Sequence, residues 1–488
     1  MKDEVRWIMD EAKKKGLTYA DIRVIEDEIE SIDVENGNIQ GIGKTISKGF
    51  GIRVLLNGSW GFSSSSKIDK HEMLKVLEEA FNIAKASSIV KKEDTVLSPV
   101  EVYIDEYFED YKIDPFSISL EKKISLLLEC DKTMSSFKQV KIRRGSLYFL
   151  KQKKYFSSTE GSYIFQERLV SGGGIESFAI GEDGEVQRRS YPSSLGGDFS
   201  REGWEFIEKM KLLENSEKIA RQSVELLKAK PCPSGYMDIV ISGDQMALQV
   251  HESLGHPAEL DRVFGMEASY AGTSFLTPEK LGKFEYGSKI VNITADATIP
   301  HALGGFKYDD EGVKAQRVYL VKDGIFVGYL TSRETAHRVG LKPMGAMRAD
   351  GWNRIPLIRM TSINLEPGDL SFEDLIKDIK DGIYVETNKS WSIDDKRLNF
   401  QFGCEIGWEI KDGKLGEMIK NPTYTGITYE FWRSCDGIGN KDLWHVWGLP
   451  NCGKGEPTQI MQVSHGTSPA RFRNVRVGVI RWEERMRF

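Results

Sequence analysis

Several features are scarce in this 488-residue sequence, and each scarcity excludes a class of protein. The five cysteines are odd in number, scattered and free of any CxxC pair, so we expect a reducing cytoplasm and no disulfide framework. No apolar run reaches the roughly 18 residues of a membrane span, and the first residues lack the apolar stretch of a signal peptide. The net charge of −6 contains no long block of like charge, which argues against a nucleic-acid partner.

What is present indicates a folded chain of more than one domain. Apolar residues make up 40% of the sequence and aromatic residues 10%, enough for well-packed cores. The chain is longer than one hydrophobic core usually accommodates. The stretch Pro231–Gly235, near the middle of the chain, interrupts regular secondary structure and indicates a domain boundary. We predict an α+β fold with an N-terminal α+β domain of mostly antiparallel sheet (1–230, possibly with subregions 1–100 and 101–215). A C-terminal β-rich domain (235–488) then carries the metal-site helix.

Local patterns predict the elements of both halves. Apolar residues at helical spacing predict helices over 3–15, 68–86, 119–135, 215–229 and 372–381. Asparagine or aspartate followed by glycine between β-type runs predicts tight hairpin turns at Asn57-Gly58, Asp323-Gly324 and Asp412-Gly413.

The most informative stretch is His251-Glu252-Ser253-Leu254-Gly255-His256. Two imidazoles flank a carboxylate, which is the composition that a zinc hydrolase needs for metal binding and for acid/base chemistry. The second histidine lies one residue beyond its place in the zincin pattern His-Glu-x-x-His.

That extra residue decides the geometry of the segment. In a straight helix, residues five apart differ by roughly 140° and cannot reach one ion. We therefore predict that His251 ends the regular helix and that His256 lies on a bulge or C-terminal cap. Gly255 permits this distortion in a bulged or left-handed conformation, and Pro257 ends the helix. Glu252 would then face the open coordination position as the general base.

Two histidines hold zinc too weakly, so a third ligand must come from elsewhere in the chain. The residue types leave these candidates open: Cys452, Cys404, Cys435, His301, His445, Glu259 and Asp261. Cys452 lies in a glycine-flanked loop, where the nearby Lys454 would favour its thiolate.

His465 could have a substrate or oxyanion role, and the acidic stretch 309–312 is interpreted as a turn in preference to a cation site.

Four motifs, taken in order, resemble the TldD branch of the TldD/PmbA proteins over most of the chain. They are the stretch His251–His256, the segment Tyr308–Gly312, the segment from Gly351 through Arg359-Met360-Thr361, and Asn451–Lys454. One departure is Pro257, where many members carry glycine.

This resemblance implies a zinc-dependent peptidase with an N-terminal α+β part and a C-terminal β-rich part. His251, His256 and Cys452 match the positions of the family's metal ligands, and Glu252 matches its catalytic acid/base. The resemblance also implies a dimer, formed either by two copies or with a PmbA/TldE-like paralogue that lacks the zinc motif. It implies small or unfolded peptides as substrates.

The sequence therefore predicts a cytoplasmic zinc metallopeptidase in which a zinc-bound water attacks the peptide bond and Glu252 transfers the proton. Two alternatives remain open. One is a non-catalytic regulatory or binding protein with a structural zinc, which a fourth protein ligand such as His445 would favour. The other is a zinc hydrolase of a non-peptide amide.

Overall fold

The computed structural model describes residues 1–478, and the last ten residues of the predicted second domain lie outside it. The first half contains five helices and eight strands: α1 (Lys2–Lys13), β1 (Tyr19–Glu35), β2 (Asn38–Leu56), β3 (Ser59–Ser65), α2 (Lys70–Val90), β4 (Ile104–Tyr107), α3 (Leu120–Ser135), β5 (Val140–Ser158), β6 (Tyr163–Ile180), β7 (Val186–Tyr191), β8 (Asp198–Ser200), α4 (Trp204–Met210) and α5 (Leu212–Lys228).

These strands form one sheet in the order β3-β2-β1-β5-β6-β4, and β7 and β8 both pair with β6. All pairings but that of β4 are antiparallel. Alternate residues of β1 such as Ile22 lie opposite buried residues of β2 such as Ile52, and α1 and α2 cover this face. The helices α3, α4 and α5 pack at the other end of the sheet. The long strands therefore carry two separate cores.

The second half is richer in strands, as the sequence predicts. Its elements are β9 (Lys230–Pro231), β10 (Gly235–Ile241), α6 (Gly243–Val250), α7 (Leu260–Val263), β11 (Ile293–Asp296), β12 (Arg317–Lys322), β13 (Ile325–Phe326), β14 (Met347–Arg348), β15 (Leu357–Ile358), β16 (Ile363–Leu365), α8 (Phe372–Ile376), β17 (Asp381–Ile393), β18 (Asn399–Lys411), β19 (Lys414–Lys420), β20 (Thr423–Ile427), α9 (Thr428–Arg433), β21 (Cys435–Ile438), β22 (His445–Lys454), β23 (Gln459–Thr467) and β24 (Ala470–Val477).

A second large sheet follows the order β17-β10-β24-β20-β18-β19-β9, with β21 paired to β24. Because β17 also pairs with β18, five of these strands close into a ring. The strand β10 is parallel to β17 and leads directly into α6. The smaller pairings are β13-β12-β11-β16, β14-β15 and β22-β23. The fold is thus α+β with mostly antiparallel pairing.

The predicted hairpin turns are confirmed, because both residues of each Asn-Gly or Asp-Gly pair have a positive φ. The helix predicted over 372–381 is too long. It ends at Ile376, and Asp381 already begins β17, which the pairing with β10 and β18 requires. None of the helices within residues 1–478 is long and apolar enough to cross a membrane. The domain boundary near residue 230 stays a prediction.

The acidic turn at 309–312 connects the second half to the first sheet. A carboxylate oxygen of Asp310 lies 2.5 Å from the ammonium nitrogen of Lys154. A carboxylate oxygen of Glu311 lies 3.7 Å from a guanidinium nitrogen of Arg53. These four side chains are buried or nearly so. Buried charges are tolerated when they are paired, so this turn joins the two halves electrostatically. The prediction of a turn is supported, and no cation is needed to explain its acidity.

Replacing Asp310 by asparagine should destabilise the protein by about 3 kcal/mol, because Lys154 and Arg23 would lose a buried counter-charge. The measurement is the midpoint of chemical denaturation. Asp10→Asn is the control, because Asp10 pairs with Lys13 at the exposed surface, where ion pairs contribute little. Equal midpoints for the two variants would show that the turn does not join the halves in this way.

Candidate metal centre

The segment that carries both histidines departs from a regular helix at the predicted place. The helix α6 ends at Val250, and His251–Gly255 form a single π-helical turn. The His256 backbone N–H donates to the His251 carbonyl at 3.1 Å, which is the i to i+5 bond of a π turn. The imidazole rings consequently lie 4.8 Å apart between centroids. The expected bulge is present.

Close packing explains why glycine occupies position 255. A Cβ atom there would lie 2.4 Å from the sulfur of Met360. Of the two expected conformations, Gly255 adopts the bulged one and not the left-handed one, and the glycine is needed because Met360 approaches its Cα closely.

Two aromatic side chains stabilise the widened turn. The Tyr286 hydroxyl donates to the Ser253 carbonyl at 3.0 Å, and the Trp432 indole donates to the Ser253 hydroxyl at 2.9 Å. These bonds satisfy buried polar groups within the distorted turn. Sequence analysis did not find these contacts, because both partners lie far away in the chain.

Cys452 on β22 joins the two histidines. Its sulfur lies 3.8 Å from Nε2 of His256, and one potential ligand atom from each of the three residues falls within 4.8 Å of the others. Zinc bonds of about 2.0 Å to nitrogen and about 2.3 Å to sulfur, at tetrahedral angles, separate two such atoms by about 3.6 Å. The separation of Cys452 and His256 is therefore close to that of two zinc ligands, and the buried trio is compact enough to hold a metal ion.

Hydrogen-bond partners show which ring nitrogen of His251 keeps an unshared lone pair. Nδ1 of His465 lies 3.0 Å from the Ile363 carbonyl and must donate to it, which leaves Nε2 of His465 as an acceptor. That Nε2 lies 2.8 Å from Nδ1 of His251, so His251 donates there and keeps the lone pair on its own Nε2. Burial lowers the pKa of both rings, which favours these neutral forms. His465 thus orients a potential ligand, a role that the sequence did not predict.

His256 is oriented in the same way by a carboxylate. Its Nδ1 lies 2.9 Å from Glu259, and the ammonium of Lys454 lies 3.4 Å from the same carboxylate. Lys454 also contacts Asp261 at 2.8 Å and Glu267 at 3.1 Å, and all of these side chains are buried. Carboxylate partners of this kind fix the tautomer and orientation of metal-binding histidines. Glu259, a candidate ligand by residue type, instead lies behind His256.

The environment of Cys452 favours the thiolate for a different reason from the predicted one. Lys454 is engaged by the three carboxylates and does not contact the sulfur. Burial opposes ionisation, but attraction from His256 and Arg359 outweighs it and lowers the pKa of the Cys452 thiol. Arg359 lies close to the cysteine, since its guanidinium also donates to the Cys452 carbonyl.

Glu252, the predicted acid/base, is buried beside His251 and held by an arginine. One carboxylate oxygen lies 2.5 Å from a guanidinium nitrogen of Arg397, in the connection between β17 and β18. Arg397 has a φ of 62°, a strained conformation for a residue that is not glycine. Sequence analysis did not single out Arg397, because nothing local relates it to Glu252.

The remaining ligand candidates lie in other surroundings. His445 bonds to Asp198 at 2.8 Å, and His301 lies 3.4 Å from the Arg201 carbonyl. Within residues 1–478, one group of three or more potential metal ligands is found, and it excludes Cys404, Cys435, His301, His445, Glu259 and Asp261.

The chain is similar to known proteins along nearly its whole length. Three family models match the chain: PmbA/TldA metallopeptidase domain 1 at residues 20–84, the central domain at 113–230 and the C-terminal domain at 234–479. The candidate metal centre falls within the third match. The helices and strands of the first half fall largely within the other two.

Individual relatives span nearly the whole chain. A metalloprotease of Methanocaldococcus jannaschii is 31% identical over 89% of this chain and 92% of its own length. A zinc metalloprotease TldD homolog of Saccharolobus solfataricus is 24% identical over 96% and 98%. The crystal structure of TldE from Thermococcus kodakarensis matches with a TM-score of 0.69 at 18% identity, covering 98% of this chain and all of that one. At that identity the structure shows the fold alone.

Glu259→Gln should weaken metal binding about tenfold or more, because glutamine is a poorer acceptor for the Nδ1–H of His256. Competition against a chelator of known affinity measures the change. Glu267→Gln is the matched control, since Glu267 also contacts Lys454 and Arg262 but does not contact His256. Equal losses in the two variants would show that the charge of the cluster matters and the orientation of His256 does not.

Proposed function

The chain belongs to the PmbA/TldD metallopeptidase family, and we propose that it is a zinc-dependent peptidase that hydrolyses small or unfolded peptides. The observation that carries this proposal is the convergence of two neutral imidazoles and a thiol, brought together by the π turn, with Glu252 next to the first imidazole. Thiolate and imidazole together suit zinc and disfavour magnesium or calcium, which bind oxygen.

The residues divide the chemistry between them. His251, His256 and Cys452 would hold the ion, which supplies Lewis acidity for the scissile carbonyl and lowers the pKa of water. Glu252 accepts the proton of the attacking water and passes it to the leaving amine. Arg397 holds the Glu252 carboxylate in one orientation through their 2.5 Å contact. Two neutral histidines and one thiolate leave the ion with a net positive charge.

Three observations favour catalysis over a structural zinc. Structural sites usually have four protein ligands, and the group within residues 1–478 has three. His445, the predicted fourth ligand of the structural alternative, is engaged by Asp198. The buried ion pair of Glu252 and Arg397 also has no evident role in a purely structural site. Hydrolysis of a non-peptide amide would use the same residues, and product analysis distinguishes it.

We further propose that the protein acts in the cytoplasm as a dimer, either of two copies or with a PmbA/TldE-like paralogue. The fold shared with TldE supports a paralogue of the same shape as a partner. The free cysteines and the absence of charge blocks are consistent with this setting.

Glu252→Gln should retain zinc and lose peptide cleavage by about a hundredfold or more, because the amide cannot accept a proton. Cys452→Ala should lose both zinc and cleavage, because two histidines bind the ion weakly. Metal analysis and mass spectrometry of peptide products, with and without chelator, measure both. Full cleavage by Glu252→Gln would refute the assigned role, and unchanged zinc in Cys452→Ala would move the third ligand elsewhere.

The purified chain should have twice its monomeric mass of 55.2 kDa in light scattering, either alone or after mixing with the paralogue. The mixture distinguishes the two forms, because a heterodimer appears only when both chains are present. A monomeric mass under both conditions would contradict the proposed assembly and leave the metal chemistry unaffected.

A further inference from the structure

A cavity of about 220 Å³ lies between the first sheet and the second half of the chain. Tyr148 on β5 and Arg168 on β6 form one wall. Arg348 on β14 and Met461 on β23 form the opposite wall. Met461 is the cross-strand partner of Cys452, so the cavity adjoins the strand pair that carries the candidate metal ligand.

Two guanidinium groups in this cavity have no carboxylate partner. Arg348 is 5% exposed and donates to the carbonyls of Met360 at 3.1 Å and Gln462 at 2.9 Å. Arg168 donates to the Leu303 carbonyl at 2.7 Å. Among the ion pairs within 4.0 Å that the described residues form, none includes Arg168 or Arg348. Carbonyl groups are dipoles, so these contacts place no full opposing charge against either guanidinium.

Other buried arginines at the same junction are compensated. Arg23 pairs with Asp310, Arg201 lies 2.9 Å from Glu109, and Arg333 lies 2.8 Å from Glu160. The fold therefore supplies counter-charges to most buried arginines here. Arg359 is an exception beside the candidate metal centre, where it donates to the Cys452 carbonyl. Arg168 and Arg348 are further exceptions, and both line one cavity.

The acidic residues of the cavity wall have hydrogen-bond or ion-pair partners other than these two arginines. Asp310 contacts Lys154 at 2.5 Å, and Asp27 accepts from the amide of Gln152 at 2.8 Å. Asp350 accepts from the backbone N–H of Ile460 at 2.9 Å. None of them lies within 4.0 Å of the two unpaired guanidiniums.

Unused hydrogen-bonding capacity lies in the same place. Nε of Arg168 and the side-chain oxygen of Gln462 are buried without a hydrogen-bond partner among the described residues. Burial lowers the pKa of Arg168 to about 10 and lowers the pKa of Arg348 well below its usual range. Both directions agree with guanidiniums that lack a counter-ion. An arginine offers paired donors that match the oxygens of a carboxylate or phosphate.

We propose that this cavity binds the oxyanion group of a small ligand, a carboxylate or a phosphate, through Arg168 and Arg348. A carboxylate would come from the end or an acidic side chain of a peptide, whereas a phosphate would come from a phosphate ester. The site lies beside the metal centre and uses none of its residues, so binding does not depend on hydrolysis.

Calorimetry on the zinc-loaded Glu252→Gln chain tests the proposal without substrate turnover. The probes are inorganic phosphate, an N-acetylated dipeptide with a free carboxylate and the same dipeptide as its C-terminal amide, all at equal ionic strength. Tenfold tighter binding of the acid than of the amide identifies a peptide carboxylate. Binding of phosphate with no preference for the acid identifies a phosphate ligand. If phosphate does not bind and the acid and amide bind equally, the proposal is overturned.

Variants locate the binding group. Arg168→Met should lower the affinity for the preferred probe at least tenfold. Arg168→Lys should retain part of that affinity because it keeps the positive charge. Arg144→Met is the control, since Arg144 lies on the neighbouring strand β5 and pairs with Glu35 at the surface. Without ligand, Arg168→Met should melt at or above the temperature of the parent chain, because an uncompensated charge is removed. Unchanged probe affinity in Arg168→Met overturns the proposal. If that variant fails to fold, the probe comparison on the parent chain decides.

Discussion

The hydrogen bond from the His256 amide to the His251 carbonyl determines the geometry of the whole site. It widens one helical turn, and only this widening places two imidazoles five residues apart on the same side. A distorted turn must satisfy its polar groups elsewhere, and Tyr286 and Trp432 do so at Ser253. The second half of the chain folds around this turn, so the core and the candidate centre depend on each other.

Each imidazole is oriented by a partner that the metal would not touch. His465 accepts a hydrogen bond from His251 and donates one to the Ile363 carbonyl. Glu259 accepts a hydrogen bond from His256 and lies beside the buried ammonium of Lys454. Both arrangements leave one nitrogen lone pair of each imidazole available to a ligand. A site prepared in this way loses little conformational entropy when it binds metal.

Buried charge is distributed unevenly through the molecule. The acidic turn at 309–312 and the Lys454 cluster pair their charges internally, which joins segments distant in sequence. Arg397 with Glu252, and Arg359 beside Cys452, bring charge to the reactive groups themselves. The unpaired Arg168 and Arg348 are different, because no carboxylate of the described residues lies within 4.0 Å of either guanidinium. Burial without compensation is costly in a folded protein and usually has a function.

The sequence by itself determined the elements whose causes are local. Hairpins at Asn57-Gly58 and Asp412-Gly413 follow from residues that tolerate positive φ, and the histidine spacing required a bulge. Only the tertiary structure decided what depends on distant segments. It ended the helix at Ile376 because Asp381 already begins a paired strand, brought Cys452 next to the two histidines, and placed Arg397 against Glu252. Long-range packing brings such residues together, and local periodicity or spacing in the sequence cannot predict which distant residues will meet.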